Sequence, residues 1–306
     1  MGSRGGVAGF LGSAQWFDLL RRLRLSVFDN VYAFSSGALA KDWTQVTIPE
    51  AVTAELLLDT VFMAFGHVDM QLPFLPMIGA TDASTEYGQG GVVAAASTDE
   101  VRRVARMACK LGGHVCLDGG PELSPELLAR LRPRHKLPLE LHHFDVIFSI
   151  RVESPNHINI EEGLALIRYL KWVLRCVKRF DHRVVLLVDS KVALGAVAKG
   201  RSSSRPLNAI VRRAAALCFA GGITLHCVFI STKHNPADLL SRGAAATWPS
   251  ELRRRTFHKP VRSKCPGCGL RPDCHPSHLP KKLRGQQGSK YNGCTGPGVG
   301  AEDVSA

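Results

Sequence analysis

Four short acidic motifs follow one another along the chain and contain the residues best suited to chemistry. They read T-D-A-S at Thr81–Ser84, I-N-I-E-E at Ile158–Glu162, V-D-S at Val188–Ser190 and N-P-A-D at Asn235–Asp238. Each places a carboxylate near the end of a predicted strand or the start of a predicted helix. Carboxylates brought together repel one another, so a fold that gathers them needs a cation between them. Two Mg²⁺ ions would meet this need, and they suit hydrolysis of a phosphodiester.

Each acid also has a simpler explanation when it is taken alone. Asp82 can begin a turn, and Asp189 can cap a helix. Glu162 and Asp238 lie in first helical turns, where the helix dipole favours acids. The set is harder to explain as independent caps. If the first and fourth predicted strands are neighbours, Asp82 and Asp189 lie side by side, and a helix across that face presents a glutamate to the same point.

The elements around these motifs predict an α/β fold with a mixed sheet flanked by helices. Five strands are predicted, at 77–81, 92–96, 146–152, 183–188 and 223–230, and helices at 160–177, 191–198 and 206–220. The run R-V-V-L-L-V at 183–188 is typical of a strand buried on both faces. Residues 99–144 are interpreted as an insertion with a basic, helix-like stretch near 101–110.

Two further regions flank the predicted sheet. Residues 1–75 are expected to be mostly helical, with helices at 17–25 and 51–65. Residues 246–306 form a basic tail rich in Pro and Gly. Of the net charge of +13, residues 253–290 contribute +10, with 11 Lys and Arg against one acid, Asp273. This charge favours contact with a polyanion such as nucleic acid, and a solvated tail kept soluble by its charge is the alternative.

Composition also limits where the protein works. No apolar run approaches the ~18 residues that span a bilayer. Residues 1–10 lack the charged-then-apolar pattern of a signal peptide. The nine cysteines are an odd count, and without a secretory signal they are expected to be reduced thiols. We therefore expect a cytoplasmic or nuclear protein with no membrane partner.

The tail contains a candidate zinc site. Its spacing, C-x₂-C-x₅-C-x₃-H, fits a Cys₃His ligand set made of Cys265, Cys268, Cys274 and His278. His275 is a substitute for the last ligand. Incidental cysteines in a disordered tail are the alternative, and Cys294 lies outside the pattern.

The order and residues of the motifs resemble those of the ribonuclease H domain of retroelement reverse transcriptases, especially of long-terminal-repeat or DIRS-type elements. The matching phrases are T-D-A-S followed by G-Q-G-G, I-N-x-x-E, V-D-S, and H-N-P-A-D-L-L-S-R at His234–Arg242. The resemblance covers roughly residues 76–243, so 76–245 is the expected ribonuclease H-like domain. Residues 1–75 would then correspond to a connection or thumb region, and the remainder of the polyprotein would be a partner.

The resemblance implies a Mg²⁺-dependent endonuclease that hydrolyses the RNA strand of RNA–DNA hybrids. It implies that two Mg²⁺ ions are held by Asp82, Glu162, Asp189 and Asp238. Glu162 is chosen over Glu161 because the N-x-x-E spacing from Asn159 selects it. His234 is a candidate for proton transfer or product release, with a solvated loop histidine as the alternative. Backbone or amide contacts with 2′-hydroxyls are expected at Gly90, Gly91 and Asn208.

The sequence also departs from the family pattern. Gly163 follows the key glutamate where a large apolar residue is usual, and Gly inside a helix costs about 1 kcal/mol relative to Ala. No Y-x-D-D polymerase motif occurs. An exonuclease of the same broad fold would have Asp-x-Glu in its first strand, whereas here Ser84 follows Asp82 at the position of that Glu. A transposase or integrase of this fold would end its acidic set with Glu, whereas here the last acid is Asp238. The main rival is a degenerate domain that binds nucleic acid without cleaving it.

Overall fold

A mixed sheet and a helical N-terminal segment make up the computed structural model. It describes residues 1–37, 41–63, 66, 68–110, 112–118 and 133–243. The chain divides into two units, Met1–Arg262 and Ser263–Ala306, and every described residue lies in the first. The predicted zinc ligands Cys265, Cys268, Cys274 and His278 therefore lie outside the described residues, as does the whole of the predicted basic tail.

The regular elements alternate along the chain as the sequence predicts for an α/β fold. In chain order they are β1 (Gly2–Ser3), α1 (Arg4–Asp18), α2 (Asp29–Ser35), β2 (Gln45–Val46), α3 (Glu50–Met63), β3 (Phe74–Ala83), β4 (Gly88–Ala95), α4 (Thr98–Met107), β5 (His114–Leu117), β6 (Arg134–Leu137), β7 (Asp145–Arg151), α5 (Ile158–Val173), β8 (Arg183–Val188), α6 (Lys191–Lys199), α7 (Arg205–Ala220), β9 (Thr224–Ile230) and α8 (Asp238–Ser241). Single 3₁₀ segments cover Leu19–Val27, Leu141–His143, Val177–Arg179 and Thr232–His234.

The main sheet has seven strands within the described part of the chain, in the order β6–β5–β9–β8–β3–β4–β7. Strands β3, β8, β9, β5 and β6 are parallel, while β4 runs antiparallel to β3 and to β7. The five predicted strands are β3, β4, β7, β8 and β9. The predicted number was too small because β5 and β6, from the insertion at 99–144, extend the sheet beyond β9.

Strand β8 lies in the middle of the sheet and is buried on both faces. Val185 and Leu187 belong to the core that α4 covers. Val184, Leu186 and Val188 belong to the core that α5 and α7 cover. This alternation explains why the run is apolar at every position, since a strand with helices on both faces has no solvated side.

The N-terminal segment differs from the helix predicted at 17–25. Helix α1 ends at Asp18, and the 3₁₀ segment that follows bends at Arg21 (φ −134°, ψ 68°). Arg24 points inward, 3% exposed, with its Nε 3.2 Å from Asp18 and its Nη2 2.6 Å from Asp59. Arg24 therefore joins Asp18 and Asp59 in a buried ion triad.

The same segment contacts helix α7, mainly through the backbone carbonyl of Ser26. The oxygen of Ser26 accepts hydrogen bonds from Asn208 Nδ2 (2.9 Å) and from Arg212 Nη2 (2.9 Å). Ser26 itself is fully buried. No helix of the described residues is both long and apolar enough to cross a membrane.

Candidate metal centre

Three of the predicted carboxylates meet at one edge of the sheet. Asp82 is the penultimate residue of β3, and Asp189 directly follows β8. These strands are parallel, with Ala80 opposite Leu187, so the two acids leave the sheet at the same level. Glu162 comes from the start of α5. One carboxylate oxygen from each of Asp82, Glu162 and Asp189 lies within 4.8 Å of the other two.

Asp189 is available to this cluster because a neighbour caps the helix. Ser190 is the N-cap of α6, and its Oγ accepts from the backbone N–H of Ala193 at 3.2 Å. The capping role considered for Asp189 is thus taken by Ser190. Asp189 Oδ2 instead accepts from Thr232 Oγ1 at 2.8 Å. Thr232 comes from the loop after β9, so a third parallel strand helps to orient the carboxylate.

Helix α5 presents Glu162, and not Glu161, to the cluster. Gly163 explains how the helix can lie there. A Cβ at Gly163 would come 2.9 Å from Ile210 Cγ2 and 3.2 Å from Ile210 Cδ1 on α7. The glycine that departs from the family pattern therefore allows α5 and α7 to approach closely, which offsets its low helix propensity.

The cluster is electrostatically unfavourable when no cation is bound. The pKa of Asp82 is raised to about 8, chiefly by burial and also by the charges of Asp189 and Asp238. A hydrogen bond from Ser241 acts in the opposite direction and lowers it. Burial and the charges of Asp189 and Asp82 raise the pKa of Glu162 to about 9. Both shifts have the causes expected of carboxylates that share a buried site.

The last motif supplies partners for Asp82 that sequence reasoning did not identify. Ser241 Oγ donates a hydrogen bond to Asp82 Oδ2. Asn235 Nδ2 donates to the carbonyl of Thr81 (3.1 Å) and lies 3.4 Å from Asp82 Oδ1, and its Oδ1 accepts from Ala237 N–H (3.1 Å). Both residues belong to the H-N-P-A-D-L-L-S-R phrase, so the motif itself was the signal that could have found them.

Asp238 lies outside the group of three. Its Oδ1 accepts from Arg242 Nε at 2.9 Å, and its side chain is 22% exposed. It remains close enough for its charge to raise the pKa of Asp82. The structure therefore places Asp238 at the border of the cluster and pairs it with Arg242, the residue that follows the same short helix.

His234 is also outside the group, and it is not a solvated loop histidine. It is 6% exposed at the end of the 3₁₀ turn that follows β9. The pKa of His114 on β5 is lowered chiefly by burial, and also by the charges of Arg134 and His234. Strand β5 is therefore part of the environment of His234, although the sequence treated its region as an insertion only.

The residues expected to contact 2′-hydroxyls have structural roles in the fold. A Cβ at Gly90 would come 2.7 Å from the carbonyl of Ala237, and one at Gly91 would meet the ring of Phe148 at 2.4 Å. Asn208 is 2% exposed, and its amide bonds Ser26 and Ser202. The expectation was wrong for Asn208, because its amide is buried and bonded within the protein. For Gly90 and Gly91 a backbone contact with substrate stays a prediction.

The donor set fits a hard divalent cation. All three clustered side chains are carboxylates, which suit Mg²⁺. Two of their oxygens, Glu162 Oε2 and Asp189 Oδ1, are buried without a hydrogen-bond partner. Buried carboxylate oxygens are normally paired, and a cation would satisfy both.

Relatives do not add to this description. Comparisons with protein-family models, with curated proteins and with solved structures found no match to the chain.

Proposed function

We propose that the protein is a Mg²⁺-dependent nuclease that hydrolyses the RNA strand of RNA–DNA hybrids. The observation that carries the proposal is the convergence of Asp82, Glu162 and Asp189 from two parallel strands and one helix. A cap or a turn explains one acid at a time and does not explain why three carboxylate oxygens from distant parts of the chain lie within 4.8 Å of one another. A divalent cation explains all three together.

The choice of hybrid as substrate rests on the motif resemblance. Two structural observations support the shared acidic site itself, and neither bears on the choice of substrate. The first and fourth predicted strands, β3 and β8, are direct neighbours, as the hypothesis of a shared site required. The four acidic motifs all lie at the carboxyl-end edge of β3 or β8, at the start of α5, or in the loop and helix after β9. An α/β sheet commonly carries its ligand site at that edge.

The side chains would divide the work as follows. Asp82, Glu162 and Asp189 would hold the cation through carboxylate oxygens. When bound, Mg²⁺ lowers the pKa of a water and stabilises charge on the leaving oxygen. Thr232 would keep Asp189 in its orientation, and Ser241 would do the same for Asp82. Asp238 is the remaining candidate ligand, and its participation stays a prediction.

A cleavage assay tests the proposal. The full chain is incubated with end-labelled RNA–DNA hybrid, duplex RNA, duplex DNA and single-stranded RNA, each with Mg²⁺ and with EDTA. We expect cleavage of the RNA strand of the hybrid alone, dependent on Mg²⁺. Cleavage that persists in EDTA would indicate another nuclease in the sample, and equal cleavage of duplex DNA would contradict the substrate class.

A nucleic-acid-binding domain without catalysis is the second candidate. It is favoured by Asp238, which pairs with Arg242 instead of joining the cluster. Binding of the hybrid by the wild type with no cleavage at any Mg²⁺ concentration would support this candidate over the nuclease.

Lys191 is an exposed cation two residues after Asp189, where it could meet a substrate phosphate. It opens α6 directly after Ser190, where the helix dipole disfavours a positive charge, so helix stability does not explain it. Its Nζ lies 5.4 Å from the centre of the Phe229 ring. A lysine ammonium at this position can pair with the backbone of a nucleic acid.

We therefore expect Lys191→Gln to weaken hybrid binding and to reduce the salt dependence of binding by about one phosphate contact. Fluorescence anisotropy in EDTA over a range of KCl concentrations measures both. Lys199→Gln, at the other end of the same helix, is the matched control and should leave the slope unchanged. An equal loss of slope in both variants would argue against a specific contact at Lys191.

A further inference from the structure

A chain of hydrogen bonds with a buried centre, Gln89 and Glu161, ties the first turn of α5 to the hairpin that carries Asp82. Gln89, on β4, is 1% exposed and lies opposite Ala83 in the β3–β4 register. Its Nε2 donates to Glu161 Oε2 at 2.6 Å, and its Oε1 accepts from Arg168 Nε at 2.5 Å. The amide therefore uses its donor and its acceptor on two residues of the same helix, almost two turns apart.

Glu161 is the centre of this chain. Its second oxygen, Oε1, accepts from the backbone N–H of Asn156 (2.9 Å) and from Asn156 Nδ2 (2.8 Å). Glu161 is thus 1% exposed with a partner at each oxygen, whereas Oε2 of its neighbour Glu162 has none.

The chain constrains the element that presents Glu162. Glu161 and Glu162 are consecutive, so fixing the side chain of Glu161 against β4 fixes the rotation and height of the first turn of α5. Strand β4 also pairs with β3, where Gly90 lies opposite Asp82. Gln89 therefore connects the two elements that bring Asp82 and Glu162 together.

We propose that Gln89 is a positioning residue that holds Glu161, and through it Glu162, in the geometry that binds the divalent cation. This inference rests on the proposed metal site, since without a bound cation Glu162 has nothing to be positioned for. Gln89 itself touches neither Asp82 nor Asp189 in the hydrogen-bond network, so it acts only through α5. Outer partners of metal ligands typically affect metal affinity roughly 10–100-fold.

Exchanging the side chains of Gln89 and Glu161 distinguishes the positioning role of Gln89 from a general effect on folding. Gln89→Glu places a carboxylate beside Glu161 and removes the donor between them. Glu161→Gln removes the buried charge and also leaves two amides facing each other. In the double variant Gln89→Glu/Glu161→Gln the donor and the acceptor are simply reversed. Glu at 89 then accepts from Arg168 and from the new amide, whose oxygen still accepts from Asn156.

The test measures Mg²⁺ binding to the full chain by isothermal titration calorimetry, with no substrate present. We expect each single variant to weaken Mg²⁺ affinity by about 10-fold or more. We expect the double variant to return to within about 3-fold of the wild type. Gln15→Leu is the matched control, because it removes a partly buried glutamine bond, to Tyr32 Oη at 2.6 Å, far along the chain from the site. It should leave Mg²⁺ affinity unchanged.

Melting curves in EDTA identify any variant that fails to fold. If a single exchange does not fold, Asn156→Ala replaces it, since it removes only one of the two bonds to Glu161 Oε1. Folded single variants that bind Mg²⁺ as tightly as the wild type would overturn the positioning role, as would a folded double variant that binds as weakly as the singles. Absence of Mg²⁺ binding by the wild type would overturn the metal site first and this inference with it. Wild-type binding without cleavage would refute only the nuclease.

Discussion

Asp189→Asn is expected to lower the rate of hybrid cleavage by about 10³-fold or more, because it removes a cation ligand whose contribution to the barrier is several kcal/mol. The amide has the shape of the carboxylate and its oxygen can still accept from Thr232 Oγ1, so the local contacts persist. What changes is the charge at the cluster. The measurement is the single-turnover cleavage rate of labelled hybrid in saturating Mg²⁺.

The control for this variant is Asp145→Asn, the same chemical change at an exposed position of β7. It should cleave at the wild-type rate. The Asp189→Asn protein should also be at least as stable as the wild type in EDTA, since the substitution relieves repulsion on Asp82 and Glu162. Loss of activity together with loss of stability would mean that the residue supports the fold, and unchanged activity would exclude it from the cation site.

The strands that carry the site could be predicted because their burial produces runs of consecutive apolar residues that the sequence shows directly. Strand β8 was predicted to the residue, since a central strand needs six consecutive apolar or snorkelling side chains and R-V-V-L-L-V provides them. Because β8 ends at Val188, Asp189 could be placed at the end of this strand from the sequence. The spacing within the second motif also selected Glu162, which is the glutamate that the structure places in the cluster.

Elements held by distant partners could not be predicted in the same way. Strand β6 contains Arg134, His135 and Lys136, which show no apolar alternation, and β5 is only four residues long. Both exist because β5 pairs with β9 and β6 pairs with β5, contacts that no local pattern reports. The partners of the site depend on the same kind of contact, since Thr232 and Ser241 meet their carboxylates only once the loops after β9 fold back.

Helix α3 shows how tertiary contacts can reverse an amphipathic pattern. Glu55 and Asp59 are buried, whereas Leu57 and Val61 are 62% and 65% exposed. Glu55 accepts from the backbone N–H of Asn30 at 2.8 Å and so caps α2, while Asp59 pairs with Arg24. A prediction from hydrophobicity would have turned this helix the other way, because the partners of its acids lie 25 and 35 residues away.

In EDTA, the free energy of unfolding is expected to fall as the pH rises from about 5 to about 9. Asp82 and Glu162 have folded pKa values of about 8 and about 9, against unfolded values of 3.8 and 4.5. Between these limits the unfolded chain has released protons that the folded chain still holds, so rising pH favours unfolding. Each such group can contribute up to about 1.4 kcal/mol per pH unit, which makes the loss between pH 6 and pH 8 on the order of 3–5 kcal/mol.

Mg²⁺ should reverse this dependence. The cation needs ionised carboxylates, so its binding competes with the protons and becomes tighter as the pH rises. At a Mg²⁺ concentration 100 times the dissociation constant, the expected stabilisation is about 2.7 kcal/mol, and at pH 5 it should nearly vanish. Urea unfolding at pH 5, 6, 7, 8 and 9, with Mg²⁺ and with EDTA, measures both effects.

Glu162→Gln distinguishes the pH dependence due to the cluster from that of other titrating groups. One such group is Asp18, because burial raises its pKa to about 6. The variant keeps Asp18 unchanged and removes one of the two groups with a strongly raised pKa from the cluster. Its unfolding free energy in EDTA should therefore depend on pH less steeply than that of the wild type, by up to about 1.4 kcal/mol per pH unit. It should also gain little from Mg²⁺. Equal pH slopes for the two proteins in EDTA would mean that the carboxylates are not held against one another in the folded state, and a cation would then have no repulsion to relieve.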